Sequence, residues 1–448
     1  MGSIDRMQLA WAGAADAARR IREGALSSEE LVEACLEQVR REEPRVQAWA
    51  FLDETHVLEQ ARACDQARRR GAPTGPLHGV PVGIKDTIDT ADMPTEDGTA
   101  LHAGRLPVRD AAVVSMLRQA GAVILGKTVT TELSGYTPGK TRNPRNAAHT
   151  PGGSSSGSAA AVACGMVPLA LGTQLSGSVI RPASYCGVFG FKPTHGLVPR
   201  RGILKQSRAL DQVGVFARAV EDLALVTEQI VGFDEEDPDT RPRAQPPLTR
   251  VALEQPPLPP RLAFVKTPWW DNAASDTRAA FAELVEHLGD RVEEFTLPDS
   301  AREAWEWHRA IAEADVAFSF EREYDIGRQR LSPLLAAQIE RGRQVSALAY
   351  QRALARIAVL NQGFDGVFGA FDAILTPAAT GTAPEGLAST GDPVFCTLWT
   401  LCGMPAISLP LMQGENGLPL GVQLVAARGG DARLLRTANW LVARSAAG

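Results

Sequence analysis

Cysteine is scarce in this chain. Six residues (Cys35, Cys64, Cys164, Cys186, Cys396 and Cys402) are spread over 448 positions. No two form a CxxC pair and no Cys/His cluster has zinc-site spacing, which excludes a dense disulfide framework and a zinc module. Reduced, mostly buried thiols in a cytoplasmic protein are the expectation. Long apolar runs are also lacking. The longest candidate, 159–171, is broken by Gly165 and Pro168, so no membrane span is expected. A basic stretch followed by an apolar one is missing near the N-terminus, because Asp16, Arg19 and Arg20 come too early for a secretory signal. Nor does one charge dominate. Lys+Arg is 46 and Asp+Glu is 52, a net charge of −6, which leaves no general basic field for nucleic acid. No repeat of fixed period is present.

What is there reads as a globular α/β chain, with 44% hydrophobic and 22% charged residues. Residues 27–42 carry a capping serine, Glu30 in the first turn, and Leu31, Cys35 and Val39 on one face, the pattern of an amphipathic helix. Residues 55–70 continue in helical register, and 113–120 form a third helix. Residues 77–88 and 122–125 switch to short buried-strand patterns, which argues for alternating helices and strands. Further strand-like segments fall at 262–266, 373–377, 406–410 and 420–425. The Asp-, Glu- and Pro-rich stretch 234–260 is expected to be a long surface excursion. Two Gly/Ser loops, 150–158 and 172–178, bracket one apolar helix-like run, an arrangement that reads as a site rather than a tether.

Several motifs compete for attention. Residues 121–128 fit the phosphate-loop pattern GxxxxGK[ST], but the four loop positions are Ala-Val-Ile-Leu, which is a strand and not a cradle. Residues 153–157 fit the GxSxG nucleophile elbow, with Ser155 as nucleophile and Asp211 with His287 or His308 as partners. That elbow needs an apolar strand directly before it, and 141–151 is polar and broken by proline. The seven histidines form no metal pattern, and none is expected to be catalytic. Lys85 stands in the apolar stretch 79–88. Burial would lower its pKa and make it a usable general base, whereas a side chain reaching solvent or paired with Asp86 would stay an ordinary lysine. Local sequence leaves both open.

The stretch 151–194 resembles the signature region of the amidase signature family. The resemblance extends over roughly 27–440. GVPVGIKD (79–86), AVILGKT (122–128), ALDQVG (209–214), AILTP (373–377), CGMPAISLP (402–410) and GLPLGVQLV (417–425) fall in the family's order. It implies a single α/β/α domain over 1–448, built around a large mixed, mostly parallel β-sheet. It also implies a catalytic lysine at Lys85, a bridging serine in a cis backbone conformation at Ser154, and a nucleophile at Ser178. Backbone N–H groups of Leu175, Ser176 and Gly177 would form the oxyanion hole, and neither metal nor cofactor is expected. Three departures stand out. The loop reads GTQLSGS where GTDTGGS is common, Ser156 replaces a usual glycine, and Arg181 lies three residues after the nucleophile rather than two.

The implied chemistry is acyl transfer. A serine hydroxyl is too weak an acid to attack an amide unaided. A neutral lysine acting through a second serine can take its proton, in a variant of the serine–histidine arrangement. The expected function is hydrolysis of a carboxamide-type C–N bond in a small-molecule amide, anilide or carbamate through an acyl-enzyme on Ser178. The alternative is the glutaminase-like A subunit of a tRNA-dependent amidotransferase complex. By the resemblance, Leu133, Ser134, Gly135 and Tyr136 line the pocket, and Trp399 adds aromatic surface. Arg181 meets either an anionic substrate group or a structural ion-pair partner.

Overall fold

The structure is a computed structural model and describes residues 6–445. Helices Ser28–Val46, Glu54–Arg69 and Ala112–Gln119 form where the periodicity predicts them. The first begins with a capping box, in which the Ser27 side chain accepts from the Glu30 N–H and Glu30 returns a bond to the Ser27 N–H. The second is capped by the Asp53 carboxylate on the N–H groups of Thr55 and His56.

Eleven strands form one sheet: β1 Trp49–Phe51, β2 Pro81–Lys85, β3 Val123–Thr128, β4 Leu169–Gln174, β5 Phe189–Lys192, β6 Gln212–Ala217, β7 Leu262–Phe264, β8 Val292–Glu294, β9 Ala373–Pro377, β10 Ala406–Gln413 and β11 Pro419–Val425. Their spatial order is β1-β3-β2-β4-β6-β5-β10-β11-β9-β7-β8. The sheet is mixed, as expected, but the expected parallel majority is not found. Parallel pairing is confined to β3-β2-β4 and β9-β7-β8, and the other pairings among the described residues are antiparallel. Chain connectivity is the reason. A parallel pair needs a crossover, whereas the short β10–β11 connection makes a hairpin and hence an antiparallel pair.

Helices cover both faces, because alternate strand residues are apolar on both sides. Val82, Ile84, Ile124 and Leu171 join Leu117, Leu223 and Leu435 in one core. Val123, Leu125, Ala170 and Phe216 face the other way, against the small residues of helix Ser156–Ala163. That helix is buried throughout and packs closely: a Cβ on Gly157 would stand 2.3 Å from the Ala48 carbonyl oxygen and 2.4 Å from the Val129 nitrogen.

The excursion at 234–260 is not wholly on the surface. It contains helix Leu248–Leu253, whose Leu248 and Ala252 enter the core beside helix Asp431–Ser445. Asp237, also buried, holds the Arg200 guanidinium. The proline-rich pattern conceals these anchors because two apolar side chains are too few to set a period. No helix among the described residues is long and apolar enough to cross a membrane.

Candidate active site

β2 and β4 run parallel and adjacent, so their C-terminal ends come out at the same edge of the sheet. In open α/β sheets that edge is where ligands bind. Lys85 ends β2 and lies 0% exposed. Its Nζ is 2.7 Å from the Ser154 Oγ and 2.8 Å from the Thr173 Oγ1 on β4. Burial lowers its pKa to about 7, against a smaller opposing pull from Asp211 and Asp97. The pairing with Asp86 does not occur. Successive strand residues face opposite ways, and Asp86 sits 3.5 Å from the Lys127 ammonium instead.

Burial alone does not mark the site. Lys127 and Lys192 are equally buried. The Lys127 Nζ donates to the Pro94 carbonyl and the Thr95 hydroxyl, and 121–128 forms strand β3, as the apolar loop positions require. Lys192 meets the Gln212 side chain and the Met404 carbonyl. Among these three, only Lys85 is hydrogen-bonded to a serine.

Ser154 follows a cis peptide bond from Gly153, as the resemblance implies. The next residue, Ser155, spends its hydroxyl on the Thr173 carbonyl at 3.2 Å and is fully buried. Asp211 accepts the N–H groups of Gln206 and Ser207, and His287 is exposed on its helix. The elbow pattern therefore assembles no triad.

Ser178 lies in the loop between β4 and helix Ile180–Cys186. It lines a narrow pocket together with Ser134, Gly135, Tyr136, Leu175, Ser176, Arg181, Gln206 and Gln338. Its free space of about 10 Å³ is roughly one water-sized group. Gln174 pins the loop. Its Oε1 accepts the N–H groups of Val179 and Ile180 at 2.7 and 3.1 Å, and its Nε2 donates to the Thr400 hydroxyl at 2.9 Å. Glutamine where aspartate is common thus keeps the acceptor and adds a donor.

Two pocket expectations are corrected. Trp399 is 0% exposed, on helix Val394–Leu401, with its ring 5.5 Å from Phe364. Every residue of that helix is buried, so its aromatic is core. Leu133 is also 0% exposed and packs in the same core, which leaves Ser134, Gly135 and Tyr136 to line the pocket. Tyr136 is at the rim, 42% exposed.

Arg181 is 2% exposed and forms no ion pair among the described residues. Its Nη2 donates to the Gly153 carbonyl at 2.8 Å and the Thr390 hydroxyl at 3.1 Å, while Nε and Nη1 have no partner. The Ser134 hydroxyl, in the same pocket, is unpaired as well. A residue that sequence reasoning set aside also reaches the site. His308, on helix Ala304–Ser319, lies behind the loop that carries Ser178, with its Nε2 2.9 Å from the Leu175 carbonyl oxygen.

A family model described as Amidase matches residues 30–435. The A subunit of the glutamyl-tRNA(Gln) amidotransferase of Lachnospira eligens is 33% identical, over 92% of this chain and 94% of that protein. Its namesake from Chloroflexus aggregans is 34% identical, over 93% of each. Among solved structures, the peptide amidase of Stenotrophomonas maltophilia superposes with a TM-score of 0.85 at 30% identity, covering 98% of both chains. A 6-aminohexanoate cyclic dimer hydrolase gives 0.86 at 27% identity, over 97% of both.

Proposed function

This chain belongs to the amidase family, and from that premise we propose that it hydrolyses the C–N bond of a small carboxamide through an acyl-enzyme on Ser178. The observation that carries this reading is the buried Lys85 amine, its pKa lowered to about 7, at 2.7 Å from the Ser154 hydroxyl. Neutral Lys85 takes the Ser154 proton as Ser154 takes that of Ser178. The Ser178 Oγ adds to the carbonyl carbon, and the oxyanion is met by N–H groups of the loop Leu175–Gly177. The C–N bond then breaks as the proton passes back to the leaving nitrogen. Water attacks the ester by the same route in reverse, releasing the acid and restoring Ser178.

The pocket narrows the substrate class. Two unpaired guanidinium nitrogens of Arg181 and the Ser134 hydroxyl favour an acyl group that carries an anionic acceptor close to the scissile carbonyl.

A second reading, the glutaminase-like component of a tRNA-dependent amidotransferase, is favoured by the curated relatives. Its substrate would be glutamine, whose α-ammonium needs an acidic partner. Among the described residues no acidic side chain lines the Ser178 pocket.

The test is amine release from a panel: monoamides of short dicarboxylic acids, neutral aliphatic amides, anilides, aryl carbamates and glutamine, with Ser178→Ala as blank. Acidic amides should turn over fastest, and in Arg181→Gln their advantage over neutral amides should collapse. Release from glutamine alone would make the amidotransferase component the correct reading.

A further inference from the structure

The nucleophile loop is gripped from outside by side chains far away in sequence. The His308 Nε2 is 2.9 Å from the Leu175 carbonyl oxygen and 3.4 Å from the Ser176 Oγ. The Thr400 hydroxyl donates to the next carbonyl, that of Ser176, at 2.7 Å, and itself accepts from Gln174 at 2.9 Å. These two contacts have a geometric consequence. A trans peptide is planar, so a carbonyl and the N–H that follows it point in opposite directions. Holding the Leu175 carbonyl against His308 turns the Ser176 N–H away from the histidine. Holding the Ser176 carbonyl against Thr400 turns the Gly177 N–H away from the threonine. Among the described residues neither of these N–H groups has an acceptor, although their loop lines the pocket of Ser178.

We infer that His308 and Thr400 are positioning residues that aim the Ser176 and Gly177 amides at the oxyanion. The inference rests on Ser178 being the nucleophile. His308 touches no substrate. It acts on the loop backbone as a neutral donor, and a position 4% exposed keeps it so: burial lowers its pKa to about 4. The Nε2-protonated tautomer is the one that a carbonyl acceptor selects. A fixed donor array costs no reorganisation when charge develops, and losing one oxyanion donor typically slows a reaction by about 10²–10³. A donor left in place but free to rotate should cost less, on the order of 10–100-fold.

The experiment uses the intact chain and p-nitrophenyl acetate, whose p-nitrophenol burst reports acylation of Ser178. Variants are His308→Leu, which removes the donor, His308→Gln, which restores one, and Thr400→Val, which removes the hydroxyl at equal volume. Affinity for phenylboronic acid, which forms a tetrahedral anion on a serine, is measured alongside. His308→Leu and Thr400→Val should acylate about 10–100-fold more slowly, with boronate affinity falling in parallel and KM nearly unchanged. His308→Gln should recover most of the loss. If folded His308→Leu and Thr400→Val both acylate at the parent rate, or if boronate affinity is unmoved while acylation falls, the inference is wrong. Undiminished acylation in Ser178→Ala would instead overturn the nucleophile assignment beneath it.

Discussion

Lys85 has the most to explain among single residues, because a buried amine costs stability while charged. With its pKa at about 7, the Lys85 amine is neutral above that pH and protonated below it, and as the proposed base it sets the pH profile. kcat/KM should therefore rise with pH through about 7 and level off, falling about tenfold per unit on the acid side. A profile that stays flat from pH 6 to 9 would remove Lys85 as the titrating base. Lys85→Ala leaves the Ser154 hydroxyl without its amine partner, and activity should fall by at least about 10². His287→Ala, on an exposed helix face, should be close to neutral. His308, also set aside from sequence, contacts the Leu175 carbonyl, and its substitution is expected to slow acylation instead.

At the scale of elements, helix Ser156–Ala163 decides where Ser154 stands. The run of Ser, Gly and Ala is what lets it lie against β2, β3 and β4, with Gly157 N–H bonded to the Val129 carbonyl at 2.9 Å. A methyl at 157 has no room. Gly157→Ala should lower stability by about 1–3 kcal/mol through overpacking and displace Ser154 from Lys85. Thermal unfolding and amidase turnover measured together check this. A variant of unchanged stability and turnover would mean that the helix can shift freely. Element boundaries were legible because capping and periodicity are local. The helix around Ser158 was legible only in part, since a run buried on all sides has no polar face to give it a period.

For the whole molecule, buried amines shape the pH dependence of stability. Lys85 and Lys192 both titrate near 7 in the folded chain, against an ordinary value of 10.5. Between those values the unfolded chain holds a proton on each that the folded chain does not, so stability rises with pH in that window. Each lysine contributes a slope of about 1.4 kcal/mol per pH unit. Lys85→Met should therefore flatten the stability curve by that amount between pH 7.5 and 9, as denaturant unfolding at several pH values would read out. An unchanged slope would mean that Lys85 stays charged in the folded state.

The sequence by itself determined the α/β class and most element positions, which rest on local order: strand and helix periods, and caps. The family resemblance, not local order, singled out Lys85, Ser154 and Ser178, and of these the structure hydrogen-bonds Lys85 to Ser154. Only the tertiary structure decided what surrounds that constellation. Trp399 and Leu133 read as pocket residues but are core, because an apolar residue near a site in sequence can face either way once its helix or loop is packed. His308 reads as incidental yet meets the loop from 132 residues away. The parallel or antiparallel sense of each strand pair was equally hidden, since it depends on which strands the chain returns to. No local pattern records that choice. It is settled when two apolar faces are buried together and every strand must find its hydrogen-bonding neighbours at once.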